Sequence, residues 1–111
     1  MASDAQTHAL SAALDRLWTQ FLPQMQLRVE VLEAVAKALA AGKLSAEQHE
    51  AAQVAAHKLA GVLGTFGLNR GTVLARELEV VYSNTNQPDP ELAKQLASSA
   101  AELRSIIASR A

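Results

Sequence analysis

Among side chains able to act as nucleophiles or proton carriers near neutral pH, this 111-residue sequence has three histidines and no cysteine. Thiol catalysis, a disulfide scaffold and cysteine-ligated metal are thereby excluded. His57 stands apart from the other two histidines. It lies in Ala56-His57-Lys58-Leu59-Ala60-Gly61-Val62-Leu63-Gly64-Thr65-Phe66-Gly67, and four of the five glycines (Gly61, Gly64, Gly67, Gly71) fall in or just after that stretch. His49 is about 12 Å away along a straight helix at ~1.5 Å per residue, so the two cannot share a metal ion. His8 has no motif around it, and no metal site is expected.

The element that must carry His57 reads as a helix. Ala52, Ala55, Leu59, Val62, Leu63 and Phe66 recur at three- and four-residue spacings, the mark of one buried stripe. At roughly 100° per residue, that stripe lies nearly opposite His57. Gln53, Ala60, Gly61 and Gly64 share the histidine's face, with Lys58 and Val54 to its sides. A glycine inside a helix costs about 1 kcal/mol relative to alanine. Gly61 and Gly64 therefore suggest a surface kept low so that another molecule can reach the ring. A surface histidine beside glycines that merely cap the helix accounts for the same pattern, and the residues alone leave both readings open.

A second chemical group comes from the next helix, expected over 69–83 with Leu74, Leu78 and Val81 inward. The short connection through Gly67 makes it an antiparallel neighbour, so that Glu79 comes roughly level with His57. A carboxylate there can accept a hydrogen bond from one ring nitrogen and leave the other free as nucleophile. A solvated surface charge is the plainer alternative.

The run His57-Lys58-Leu59-Ala60-Gly61, followed by Gly64 and Gly67 and then by Leu74, Leu78 and Glu79, resembles the histidine-phosphotransfer (Hpt) domains of bacterial multistep phosphorelays. Gly64-Thr65-Phe66-Gly67 is similar to the phosphotransfer domain of chemotaxis kinases. The resemblance implies that His57 accepts a phosphoryl group and that Glu79 orients its ring. One departure stands out: the family's lysine three residues after the histidine, thought to help neutralise the phosphoryl group, is Ala60 here. Lys58 points roughly 100° around the helix and reaches the edge of the site. Arg76, one turn before Glu79, is a weaker substitute for the missing charge.

The rest of the chain is consistent with such a domain. Half the residues are hydrophobic and only 4% aromatic, a composition suited to helices packed through small side chains. A net charge of −1 gives no electrostatic case for nucleic acid or an anionic membrane. The N-terminal residues lack a signal-peptide pattern, and no apolar run approaches the ~20 residues of a membrane span. These features favour a cytoplasmic protein, and the absence of linker-like ends favours a free-standing one.

A single domain over 1–111 is expected, with helices over 4–20, 23–41, 46–66, 69–83 and 90–109. Ser3 or Asp4 would cap the first helix, whose stripe is Leu10, Ala13, Leu14, Leu17, Trp18 and Phe21, with Trp18 packing it across the end of the bundle. Pro23 would open the second helix, whose inward face is Leu27, Val31, Leu32, Val35 and Leu39. Arg28, Glu30, Glu33 and Lys37 read as its solvated surface, with Glu33 and Lys37 a favourable pair one turn apart. Gly42 would stop it, and Ser45 with Gln48 forms a capping box for the histidine helix. The loop Asn84-Thr85-Asn86-Gln87-Pro88-Asp89-Pro90 leads to the last helix, with Leu92, Leu96, Leu103, Ile106 and Ile107 inward. The fold class is all-α: an antiparallel up-down four-helix bundle with an additional short N-terminal helix.

The function expected from the resemblance is phosphoryl relay between receiver-domain aspartates through His57. No nucleotide-binding motif is present, so a carrier without a kinase of its own is expected. No cofactor is expected in this chain; Mg²⁺ would belong to the partner receiver. Partners would be response-regulator receiver domains or a hybrid sensor histidine kinase, docking a monomer over Gln53, Val54, Ala60, Gly61, Gly64 and Leu68. The alternative is an adaptor of the same fold that binds a receiver domain or kinase without being phosphorylated.

Overall fold

A computed structural model of the chain describes residues 4–84 and 89–110. Its elements in chain order are α1 (Asp4–Ala40), α2 (Ala46–Thr65), α3 (Asn69–Asn84), a 3₁₀ turn (Pro90–Leu92) and α4 (Ala93–Ser109). The helices form an all-α bundle in which each packs on its chain neighbour and α1 closes the ring against α4. Ser3 and residues 85–88 of the expected loop lie outside the described residues. Among the described residues, no helix is long and apolar enough to cross a membrane.

The expected break at Pro23 does not occur. One helix of 37 residues runs through it, and the separate short N-terminal helix is instead the first part of α1. The reason lies in the apolar spacing. Trp18, Leu22, Met25, Val29, Leu32, Ala36 and Leu39 alternate steps of four and three residues, and all are buried or packed on the core. This seam continues unbroken across Pro23, which is itself exposed. Pro23 removes one backbone donor, and the carbonyl it leaves unpaired belongs to Thr19, an exposed residue on the surface of the helix. Packing along the seam on both sides outweighs that local cost, typically ~3 kcal/mol for an interior proline. The inward face also shifts: Leu27, expected inside, is 59% exposed, whereas Met25 and Val29 are buried.

The chain turns where the glycines permit it. Gly42 has φ +69° and Gly67 has φ +71°, a left-handed conformation that glycine adopts without a Cβ clash. At each, two backbone bonds close the helix end: Gly42 N–H to Leu39 and Lys43 N–H to Ala38, then Gly67 N–H to Gly64 and Leu68 N–H to Leu63. Between them Ser45 caps α2 as expected, its side chain accepting from the Gln48 backbone while the Gln48 side chain accepts from the Ser45 backbone.

Two ends of α1 have different surroundings. Trp18 is 3% exposed and sits edge-on to Phe66 at 5.1 Å, with the Arg110 guanidinium 4.8 Å from its ring centre. It seals the end of the bundle, as expected of it. Further toward the N-terminus the helix runs on beyond that seal, and Leu10, in the expected stripe, is 63% exposed. Leu17 and Phe21 are exposed too, so only Trp18 of that stripe is fully buried.

Arginine–carboxylate pairs tie α4 to its neighbours. Arg104 donates from Nε and a terminal nitrogen to the two carboxylate oxygens of Glu33 on α1. Arg70 on α3 does the same to Glu102, at 2.7 and 3.2 Å, and Arg110 reaches Asp15 at 3.2 Å. Glu33 was expected to pair with Lys37; its hydrogen-bond partner is Arg104, and Lys37 contributes only through its charge.

Candidate functional site

The helix that carries His57 buries one side completely. Ala52, Ala55, Ala56, Leu59 and Leu63 of α2 are at most 5% exposed, and these short side chains let α2 lie close to α3. At Gly71 of α3 the approach is close: a Cβ there would sit 3.0 Å from Leu63 Cδ1. His57 points the other way, with 73% of its side chain exposed.

Antiparallel packing of α2 on α3 brings Glu79 level with the ring. His57 Nδ1 and Glu79 Oε2 are 2.6 Å apart, and the Glu79 side chain is only 28% exposed. An ionised carboxylate can only accept, so the proton of this bond is on Nδ1. The other ring nitrogen, Nε2, then carries a bare lone pair. An exposed imidazole, held in one tautomer and one orientation by a half-buried carboxylate, is set up for nucleophilic attack by Nε2.

The Hpt domain family matches residues 16–106 of the chain. This chain belongs to the Hpt family. Protein RcaC of Microchaete diplosiphon is 36% identical over 89 residues, which take in 80% of this chain. The chain spans 14% of the length of that relative. No solved structure matches it. Hpt domains work with two-component kinases and receivers, which gives the bundle a phosphorelay setting.

The remaining residues singled out in the sequence distribute unevenly around His57. Gly61 is exposed, and a Cβ added there would meet nothing within 4 Å, so the surface beside the ring is open as expected. Gly64 is also exposed, and Val54 is 44% exposed. Gln53 is half-buried, and Leu68 is half-buried and packed on the core. Ala60 is a correction. It is 6% exposed and part of the core, so it adds little to a docking surface. Its burial follows from the close α2–α3 packing, which closes over a side chain as short as a methyl group.

Lys58 lines a groove of about 420 Å³ between α1 and α2, together with His57 and Gly61. Arg76 is exposed on α3 and makes no hydrogen bond to His57 or Glu79 among the described residues. Sequence reasoning missed Arg28. It was read as solvated surface, yet it lines the same groove as His57 from α1, beside Phe21 and Gln24. A single helix wheel could not have found it. The pairing of α1 with α2 is a tertiary matter, and the α1 face was itself assigned around Leu27.

Proposed function

We propose that this Hpt protein relays a phosphoryl group between receiver-domain aspartates, with His57 as the carrier. The observation that carries the reading is the 2.6 Å contact of His57 Nδ1 with Glu79 Oε2 on a ring otherwise open to solvent. Nε2 attacks the phosphorus of a receiver's aspartyl phosphate; the N–P bond forms and the bond to the aspartate oxygen breaks. The aspartate leaves as a carboxylate. Nδ1 keeps its proton throughout, and Glu79 offsets the positive charge that the ring acquires. Return to a receiver aspartate is the reverse displacement. Such chemistry needs positioning and charge neutralisation more than covalent help from the carrier.

The docking face would be the groove and low surface around His57, where Val54, Gly61 and Phe21 offer shallow apolar contact suited to a transient partner. The cation and acidic pocket of the reaction would belong to the receiver. The protein would act as a monomer.

The test is phosphotransfer from a panel of phosphorylated receiver domains to the wild type and to His57→Gln. Acid-labile, alkali-stable label is expected on the wild type alone, with both proteins equally folded because 73% of the His57 side chain is exposed. Receiver binding without any label would replace the relay with an adaptor role, the reading that the uncharged Ala60 favours.

A further inference from the structure

We infer that Arg28, reaching across from α1, is the residue that neutralises a phosphoryl group on His57; the inference rests on the relay reading above. A phosphoryl group on Nε2 brings about two negative charges to a surface that must hold them. On α2 itself, the position one turn beyond His57 is Ala60, uncharged and buried. The charge has to come from elsewhere.

Ring orientation decides which side supplies it. Glu79 on α3 holds Nδ1. Nε2 lies across the imidazole from Nδ1, so it is directed away from α3. On α2's other flank is α1, and His57 borders the groove between these two helices. That groove is lined by two cations, Arg28 and Lys58, and by no aspartate or glutamate. Arg76 is on α3, the side that Nε2 faces away from.

Of the two cations, Arg28 has the better chemistry. It is half-buried, so its position is constrained by the groove, whereas Lys58 is exposed. Its planar fork can donate to two phosphoryl oxygens at once, which a lysine ammonium cannot match. It is also uncommitted. Arg70, Arg104 and Arg110 are each bound to a carboxylate, while Arg28 forms no ion pair among the described residues. Glu47 and Glu50 line an adjoining groove that Arg28 also borders, but neither is bonded to it.

The step is the displacement described above, with the guanidinium donating to oxygens of the group as it moves onto Nε2. Arg28 gains or loses no proton. It is a binding group for the transferred phosphoryl, and Nε2 remains the nucleophile.

The test uses two donors that differ in their need for docking: a phosphorylated receiver domain, and the small molecule phosphoramidate, from which ammonia leaves as Nε2 attacks. Arg28→Gln is expected to slow labelling of His57 from both donors by about tenfold or more, the effect of losing one charge-assisted hydrogen bond. Arg28→Lys should fall between the two, since it keeps the charge but loses the fork. Labelling of Arg28→Gln by phosphoramidate at the wild-type rate would overturn the inference, even if the receiver reaction were slowed, because Arg28 would then serve docking alone. Absence of label on the wild type from both donors would instead overturn the relay reading, and this inference with it.

Discussion

Two flanks of the same bundle treat their charges in opposite ways. Around α4, Arg70, Arg104 and Arg110 are each bound to a carboxylate on another helix. Around His57, Arg28, Lys58 and Arg76 form no ion pair among the described residues, and the one carboxylate that does engage is bound to the histidine. All these pairs lie at the surface, where an ion pair contributes little to stability. The difference teaches that the α4 flank pairs its charges with one another, across contacts between helices. The α1–α2 flank leaves its cations available to an anion that arrives from outside.

The comparison breaks if substitutions on the His57 flank act through stability, or if those on the α4 flank alter transfer. The largest effect is expected from Gly61→Arg. Transfer from a receiver should fall to background, because a long side chain would fill the approach to the ring. The same variant should keep the fold, since arginine favours a helix over glycine by about 1 kcal/mol and a Cβ at this position meets nothing within 4 Å, which offsets the like charges of Arg28 and Lys58 in the same groove. Thermal unfolding beside a transfer assay would separate the two outcomes, and normal transfer in the folded variant would rule out this docking face.

Glu79→Gln comes next. The amide can still meet Nδ1 but no longer carries the charge that offsets a phosphorylated ring. Transfer should slow by about ten- to a hundredfold, with little change in melting temperature. An equal loss of stability and rate would reduce Glu79 to a structural role.

Arg104→Gln should have the smallest effect and sharpens the contrast from the other side. It should leave transfer unchanged and lower the melting temperature slightly. The hydrogen bond from Arg104 holds the Glu33 carboxyl below its ordinary value of 4.5. A lowered folded-state value means that the stabilisation is present above pH 4.5 and is lost as pH falls through the folded value. The gap between wild type and variant should therefore close on acidification, and narrow at high salt. A gap independent of pH would assign the effect to packing instead.

Parts of this molecule could be read from short stretches of chain. Ser45 with Gln48, and Gly42 and Gly67, act through bonds to residues a few positions away, so the start of α2 and the ends of α1 and α2 were legible locally. Glu79 was legible for a related reason: a short turn between two helices makes their registers run in opposite directions, and counting back from Gly67 brings it to His57. Pro23 misled because its cost is local, while the compensation comes from a seam that reaches from Trp18 to Leu39. Reading the spacing across the proline, with no break assumed, would have recovered both the continuous helix and the burial of Met25 and Val29.

The motif around His57 carried the Hpt resemblance; beyond it, the sequence by itself determined an all-α bundle, the helix that carries His57, and a level for Glu79 close to that ring. These follow from periodicity, caps and one short connection, all of which act over a few turns of chain. Only the tertiary structure decided that Ala60 is buried, that Glu33 pairs with Arg104, and that Arg28 shares a groove with His57. Those facts depend on which faces of distant helices come together, and that choice belongs to the packing of the whole core.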